Sequence, residues 1–221
     1  MSNWYEPATI KRKVYFAFRF KDIMRVNNVR QSGKVGFDQE GNPRDFYDRS
    51  IWESSSSTNP ESLKRLMRDG VEHSSVVCVL NCTYTWESRW VKYEIARAVI
   101  DKKGLLTVHI AGLNHHARRA PDQNGVDPLS VMGVFTSREG SYYLYEKQWV
   151  MKDTMTFRRE WKWYPYPDYT RPVSLPAYLV APEPGYIRPL NTGTYQYDYV
   201  QHNGCANLGM WLDAAARQVN W

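Results

Sequence analysis

The chain has 221 residues, a formal net charge of +6 and an aromatic content of 14%. A chain of this length can bury a core without disulfides or metals, and its abundant aromatic side chains exclude global disorder. No apolar run approaches the ~18–20 residues that a membrane helix needs, which excludes a transmembrane span. The positive charge suits an anionic ligand but is too diffuse to specify nucleic-acid binding.

The start of the chain and its cysteines indicate a reducing environment. The first residues, MSNWYEPATI, lack the apolar core of a secretory signal. With no such signal, the odd set of Cys78, Cys82 and Cys205 predicts a cytoplasmic protein rather than a disulfide framework. Cys78 lies within an apolar run and is predicted to be a buried hydrophobe. The adjacent His115 and His116 favour a loop over a metal site, and we expect no bound metal.

The first half of the chain alternates apolar strands with helices. The predicted elements are a strand at 14–18, a helix from Asp22 to about Gln31, a polar loop over 36–58, a helix opened by Asn59 and Pro60, a strand at 75–80, a helix at 89–102 and a strand at 105–110. Continuous apolar strands joined by helices indicate an α/β fold with a parallel sheet. Ligands bind such sheets at the carboxyl ends of the strands, here Phe18–Phe20, Asn81–Thr85 and the loop after Ile110.

The second half is dominated by aromatic residues and prolines. Residues 142–221 hold 17 of the 32 aromatic residues and 7 of the 12 prolines. We predict a strand at 141–151, an extended surface segment at 164–190 and a closing helix at Leu208–Val219. Two roles fit this composition: a Pro-stiffened wrap that covers the sheet, or a surface that contacts partner proteins.

Glu94 is the candidate for chemistry on the helix at 89–102. The apolar stripe of that helix comprises Val91, Ile95, Ala98 and Val99. Glu94 falls at the border of the stripe, where a carboxylate can lose part of its water and still face a cleft. The alternative is a solvated ion pair with Arg97, three residues further along the helix.

Four segments resemble a TIR-like domain. They are the strand KRKVYFAF at 11–18, the helix that contains Asp22, Asn27 and Arg30, the strand SSVVCVLN, and the segment SRWVKYEIARAVIDKKGLLTVHIAGLN at 88–114. The subgroup that they resemble is the TIR-like family of bacterial Thoeris anti-phage systems. The resemblance implies a flavodoxin-like (TIR-like) parallel sheet flanked by helices. It predicts a TIR-like domain at 10–135 and an aromatic- and Pro-rich extension at 136–221 that packs on the same domain.

The resemblance also implies an activity. Members of this family break the bond between nicotinamide and ribose in NAD with a glutamate on the helix after the third strand, which by position is Glu94. In the Thoeris group, ADP-ribose is cyclised into a signal that activates a partner effector and stops phage growth. NAD is then a substrate, and no cofactor is needed. A phage protein as trigger and a homo-oligomeric assembly are further expectations.

Seven other residues near the strand ends are predicted to contact the substrate: Phe18, Arg19, Phe20, Trp52, Ser88, Arg89 and Trp90. Arg19 alternates with its aromatic neighbours and can meet the pyrophosphate, while Trp52 is a candidate lid residue. Ser88 and Arg89 precede the glutamate helix, where a hydroxyl and backbone amides can bind ribose or phosphate.

Each of these residues also has a structural alternative. One of Phe18 and Phe20 can belong to the core, Arg19 can be a surface charge, and Ser88 can be only a helix cap. Packing is the alternative for Trp52 and Trp90, and His109, within a strand, is expected to be a satisfied core histidine. For the whole chain, the alternatives to an enzyme are a non-catalytic TIR-like assembly module and nonspecific nucleic-acid contact through the basic first half.

Overall fold

The computed structural model describes residues 12–31, 46–47, 59–153 and 158–220. Most of the predicted loop at 36–58, with the candidate lid residue Trp52, lies outside these ranges. The described strands are β1 (Val14–Ala17), β2 (Phe46–Tyr47), β3 (Val76–Asn81), β4 (Gly104–His109), β5 (Met132–Thr136), β6 (Tyr142–Asp153), β7 (Arg158–Pro165), β8 (Ile187–Pro189) and β9 (Tyr195–Asp198). The described α-helices are α1 (Ile23–Arg30), α2 (Pro60–Glu72), α3 (Arg89–Ile100) and α4 (Gly204–Arg217).

Five strands form a parallel sheet in the order β2-β1-β3-β4-β9. All residues of β1, β3 and β4 are buried, which explains their continuous apolar sequences. The chain order of the strands is that of a flavodoxin-like sheet, whose ligand crevice lies at the carboxyl ends of the strands, between β1 and β3. The predicted α/β class and parallel sheet are confirmed.

Helices cover both faces of this sheet because the side chains of each strand alternate between them. On the first face, Phe16 of β1 and Phe18 just after it pack in one core with residues of α1 and α4. On the second face, Tyr15 and Ala17 pack in another core with residues of α3. Helix α2 packs on α3 through a small cluster that includes Met67. Its predicted start is confirmed, since the Asn59 side chain accepts a hydrogen bond from the Glu61 amide at 2.9 Å.

A second, antiparallel sheet lies in the chain between β4 and β9, with the strand order β7-β6-β5-β8. Its apolar side chains Met132, Val134 and Leu144 share the core of the second face with α3. The segment after β7 was expected to run extended over the surface, and it carries no regular helix. It nevertheless buries the rings of Tyr166 and Tyr178 in the same core. This part of the chain therefore contributes side chains to the core as well as covering it.

The parallel sheet is completed by residues far beyond 135. Strand β9 pairs with β4, and α4 packs on the first face of the sheet. The end of the predicted TIR-like segment at 135 therefore does not coincide with the end of the sheet. The predicted closing helix is confirmed, although it starts at Gly204 rather than Leu208. Among the helices of the described ranges, none combines the length and the apolar composition of a membrane span.

Gly104, the first residue of β4, allows close approach of α4. A Cβ atom at this position would overlap the backbone carbonyl of Ala215 in α4. We expect Gly104→Ala to lower the free energy of unfolding by about 1–3 kcal/mol, because either β4 or α4 must shift. Gly209→Ala, at a position of α4 where no atom of a neighbouring element lies near the added methyl, should instead stabilise by about 0.5–1 kcal/mol. Urea unfolding of both variants tests this; equal stability of the two would contradict it.

Candidate active site

Glu94 lies in the middle of α3 and is fully buried between this helix and the sheet. Its Oε1 atom accepts a hydrogen bond from the hydroxyl of Tyr15 in β1 at 2.6 Å, and Tyr15 is also fully buried. Such a short bond to a carboxylate is a strong one. The alternative of a solvated pair with Arg97 is wrong, because Arg97 binds Asp101 instead, with 3.2 Å between Nε and Oδ2. Glu94 is thus a buried, oriented carboxylate.

Three of the predicted contact residues lie at the start of α3. Ser88 is the N-cap, and its hydroxyl accepts a hydrogen bond from the Val91 amide at 3.4 Å. Trp90 packs against the cluster that α2 and α3 share. The Arg89 guanidinium stacks over the Trp90 ring at 5.2 Å from its centre and also binds Asp168. Ser88 is therefore a helix cap and Trp90 a packing residue, as their structural alternatives predicted. Their contact with substrate stays a prediction.

Asp168 ties the segment after β7 to α2 and α3. Its carboxylate accepts two hydrogen bonds from Arg89, at 2.7 and 3.1 Å, and lies 3.2 Å from the Lys64 ammonium. The hydrogen bonds from Arg89, and next those from Lys64, hold the pKa of Asp168 below its usual value against the opposing effect of burial. The second half of the chain thereby helps to fix the start of the helix that carries Glu94.

We expect Asp168→Asn to lower the free energy of unfolding by about 1–3 kcal/mol at pH 7, because charge-assisted hydrogen bonds are lost. The pKa of Asp168 is lowered in the folded state. The stabilisation is thus complete above the unfolded pKa of about 3.9 and disappears as the pH falls through the folded value. Urea unfolding at several pH values measures the difference between wild type and variant. That difference should shrink below about pH 4; a constant difference would contradict the assignment. Glu87→Gln, at an exposed carboxylate just before α3, is the control.

A cleft of about 450 Å³ lies at the carboxyl ends of β1, β3 and β4. Its walls include Arg19 and Lys21 after β1, Tyr84 after β3, and His115 and Arg118 in the loop after β4. This is the edge of the sheet at which the strand pattern predicted a ligand crevice, and the existence of a cleft there is confirmed. Its occupancy by a ligand stays a prediction.

The predicted residues after β1 are divided between the cleft and the core. Arg19 lines the cleft, with its guanidinium 5.7 Å from the centre of the Tyr84 ring. Phe18 is fully buried in the core of the first face, beneath the guanidinium of Arg30, and does not line the cleft. Phe20 is half-buried in the short 3-10 turn that precedes α1. The core alternative thus holds for Phe18, and the predicted substrate contacts stay untested.

Glu94 is not among the residues that line the cleft. The cleft includes Asp22 and Arg25 and so borders α1, which covers the first face. Glu94 belongs to α3 and meets Tyr15, which is part of the core of the second face. The seven predicted residues that the structure describes therefore do not all line this cleft. Arg19 lies in the cleft, and Ser88, Arg89 and Trp90 lie at the end of the helix that carries Glu94.

Two other sequence interpretations concern buried titratable groups. Burial raises the pKa of the Cys78 thiol far above its ordinary value, as expected for a core hydrophobe. Both ring nitrogens of His109 have polar neighbours within the fold: Nδ1 lies 3.1 Å from the Asn81 amide nitrogen and Nε2 lies 2.6 Å from the Gln196 amide nitrogen. Burial lowers the pKa of His109, which favours the neutral ring.

Across the described ranges, no group of three or more His, Cys, Asp or Glu side chains is arranged to hold a metal.

Comparison with known proteins gives two results. Residues 15–115 match the family described as Thoeris protein ThsB, TIR-like domain. Over 210 residues the chain is 29% identical to a protein of Bacillus cereus (strain MSX-D12) named "Putative cyclic ADP-D-ribose synthase ThsB1". That alignment covers 91% of this chain and 99% of the relative, so most of the aromatic second half is shared. These matches, together with the flavodoxin-like strand order, make the chain similar to the ThsB-type TIR-like proteins of Thoeris systems.

Proposed function

We propose that this protein cleaves the nicotinamide–ribose bond of NAD and closes the remaining ADP-ribose into a cyclic signal molecule. The observation that carries the proposal is Glu94, a buried carboxylate oriented by Tyr15 inside the part of the chain that matches the family. The name of the Bacillus cereus relative, a cyclic ADP-ribose synthase, supports the same reaction.

A single carboxylate is sufficient for the first step. Nicotinamide leaves from a positively charged pyridinium as a neutral molecule, so no general acid is needed to protonate it. The bond breaks with the electron pair going to the ring nitrogen, and positive charge develops on the ribose carbon and ring oxygen. An ionised carboxylate held in a low-dielectric site stabilises that charge as it forms. Glu94 is the residue to which we assign this role.

Cyclisation differs from hydrolysis only in the nucleophile. A group of the same substrate attacks the ribose carbon in place of water, which requires a folded substrate and a dry site. The buried setting of Glu94 and its fixed hydrogen bond to Tyr15 fit that requirement. A substrate must therefore reach Glu94 through a local rearrangement, and the start of α3, with Ser88, Arg89 and Trp90, is the nearest predicted contact region.

In the cell, the cyclic product would activate a separate effector protein in anti-phage defence. NAD is the substrate of the reaction, and the proposal includes no resident cofactor. A phage protein as trigger and self-assembly of the TIR-like domain are retained as predictions.

A non-catalytic assembly module is the second candidate function. The observation that favours it is the complete burial of Glu94, since a fully buried carboxylate with a hydrogen-bond donor can serve the fold alone.

Mass spectrometry of the reaction products separates these candidates. Purified full-length protein is incubated with NAD, alone and with lysate of phage-infected cells, and the small molecules are separated and weighed. We expect free nicotinamide together with a product that has the mass of ADP-ribose less one water. ADP-ribose alone would refute cyclisation but keep NAD cleavage. Absence of nicotinamide in both incubations would refute the enzyme and leave the assembly module.

A further inference from the structure

One face of the antiparallel sheet is lined with aromatic rings. Met132, Val134 and Leu144 point into the shared core, and because side chains alternate along a strand, their neighbours point the other way. This second set, called here the aromatic face, comprises Phe135 in β5, Tyr143, Tyr145, Lys147, Trp149 and Met151 in β6, and Arg159, Trp161 and Trp163 in β7. The set contains aromatic rings and two cations but no carboxylate.

The rings and cations of the aromatic face are in register across β6 and β7. Trp149 lies opposite Trp161, and the centres of their rings are 4.5 Å apart. Lys147 lies opposite Trp163, with its ammonium 4.9 Å from the centre of that ring. Trp149 remains 47% exposed. Because outward positions follow each other at roughly 7 Å along a strand, the rings form a row and not a single cluster.

The β5 end of the aromatic face contains a small pocket. Phe135, Tyr143 and Tyr145 line it together with Pro165 and Tyr169, and its volume is about 210 Å³. The rings of Phe135 and Tyr145 lie 5.0 Å apart between centres. Sites that enclose a whole drug-sized ligand measure about 300–1000 Å³. The pocket therefore suits one planar ring system, with the rest of the ligand lying outside it.

The charge around the aromatic face is positive. From Lys147 to Lys162 the sequence contains five Lys or Arg and two Asp or Glu, and five less two gives a net charge of +3. Glu160 is shared between Lys152 and Lys162, at 2.9 and 3.1 Å. In the part of the chain that the structure describes, neither Lys147 nor Arg159 forms an ion pair. This charge favours an anionic occupant and opposes a second copy of the same face.

We propose that the aromatic face binds single-stranded nucleic acid without sequence preference. The bases stack on the rings of the sheet, and the phosphates lie against Lys147 and Arg159. Every base has a π-face, so a row of rings beside cations on an open sheet accepts any unpaired strand. A duplex keeps its bases stacked inside and can offer this face only its backbone. The proposal does not depend on the proposed NAD chemistry.

Fluorescence anisotropy of a labelled oligonucleotide with the full-length protein tests the proposal. The probe is a single strand of about 12 thymidines, within the site size of single-strand binding modules. We expect a Kd of about 1–100 μM at physiological salt. An abasic strand of the same length keeps the phosphates without the bases, so it should bind at least about fivefold more weakly. The duplex of the same sequence should also bind more weakly than the single strand.

Trp149→Ala tests the stacking contribution and should weaken binding of the thymidine strand at least about fivefold. The side chain is exposed, so we expect the variant to keep the far-UV circular dichroism of the wild type. The matched control is Tyr195→Ala, which removes a ring that is 38% exposed on β9 of the other sheet. This control should bind the strand like the wild type.

Lys147→Ala/Arg159→Ala tests the phosphate contacts through the salt dependence of binding. A single strand contributes a slope of about −0.7 in log K against log salt for each phosphate contact. The double variant should therefore reduce the magnitude of the slope by about 1.4. Arg65→Ala/Arg68→Ala removes two exposed cations from α2 and should leave the slope unchanged.

Four results would overturn the proposal. The first is no binding of the thymidine strand up to about 1 mM protein. The second is equal affinity for the abasic strand, which would indicate a simple anion site. The third is polyglutamate of equal charge binding as tightly as the thymidine strand, which would indicate an acidic protein partner. The fourth is unchanged binding in Trp149→Ala with loss in Lys21→Ala/Arg118→Ala, which would place the strand in the cleft of the parallel sheet.

Discussion

Glu94→Gln should lower the rate of nicotinamide release about 1000-fold at saturating NAD. Glutamine keeps the shape of the side chain and an oxygen that can accept the hydrogen bond from Tyr15 at the present position of Oε1. What it removes is the negative charge that stabilises the developing oxocarbenium ion. The measurement is the initial rate of nicotinamide release, followed by chromatography under the condition in which the wild type is most active.

The comparison needs proof that the variant is folded, because Glu94 is fully buried. We expect the far-UV circular dichroism and the midpoint of urea unfolding of Glu94→Gln to stay close to those of the wild type. Glu183→Gln, at an exposed carboxylate in the segment before β8, is the matched control and should keep the wild-type rate. A folded Glu94→Gln protein with the wild-type rate would show that Glu94 has only a structural role.

Tyr15→Phe is expected to lower kcat about 10- to 100-fold, with a smaller change in KM. The phenyl ring still fills the core of the second face, but the carboxylate of Glu94 loses the donor that orients it. Small displacements of a reacting group have effects of this size on rate. The stability should also fall by about 1–2 kcal/mol, because a buried hydrogen bond to a charged group is lost. Steady-state kinetics and urea unfolding measure the two effects.

The control for Tyr15→Phe is Tyr93→Phe on the same helix as Glu94. The Tyr93 hydroxyl donates only a long hydrogen bond, 3.4 Å, to the Lys64 carbonyl, so its loss should change little. If Tyr15 acts by positioning Glu94, Tyr15→Phe lowers kcat and Tyr93→Phe does not. A loss of stability in Tyr15→Phe with an unchanged kcat would mean that the hydrogen bond serves folding alone.

The elements that the sequence pattern predicted best are those buried on both faces of the parallel sheet. Strands β1, β3 and β4 agree with prediction within one residue because their side chains form continuous apolar runs. Strand β9 was missed. Its sequence YQYD has no apolar run, and it is an edge strand whose place is set by pairing with β4. Strand β7 was also missed, because its charged and aromatic residues lie on a largely exposed edge.

The residues of the candidate site also differ in how well the sequence predicts them. Glu94 was predictable because its helix follows a strong strand and carries the family resemblance. Its partner Tyr15 was not singled out, because the two residues are 79 positions apart and only the fold brings them together. The pair of Arg89 and Asp168 is likewise 79 positions apart. Local periodicity specifies which face a residue occupies, but it does not specify the residue opposite.

The aromatic second half has a defined relation to the proposed site. Its antiparallel sheet shares a core with α3, and Asp168 holds the first turn of that helix through Arg89. The alignment with the Bacillus cereus relative covers most of the same region. Deletion experiments within residues 164–190 test the prediction that it also presents a surface that contacts partner proteins. Buried Tyr166 and Tyr178 make loss of folding the expected result of a complete deletion.

The initial rate of nicotinamide release from NAD, measured side by side for wild type, Tyr15→Phe and Glu94→Gln at equal concentrations of folded protein, tests the central claim most directly. The claim is that the carboxylate of Glu94, oriented by Tyr15, stabilises the charge that develops on the ribose. We predict rates that fall in that order, with Tyr15→Phe intermediate and Glu94→Gln about 1000-fold below the wild type. Equal rates for wild type and Glu94→Gln would contradict the claim.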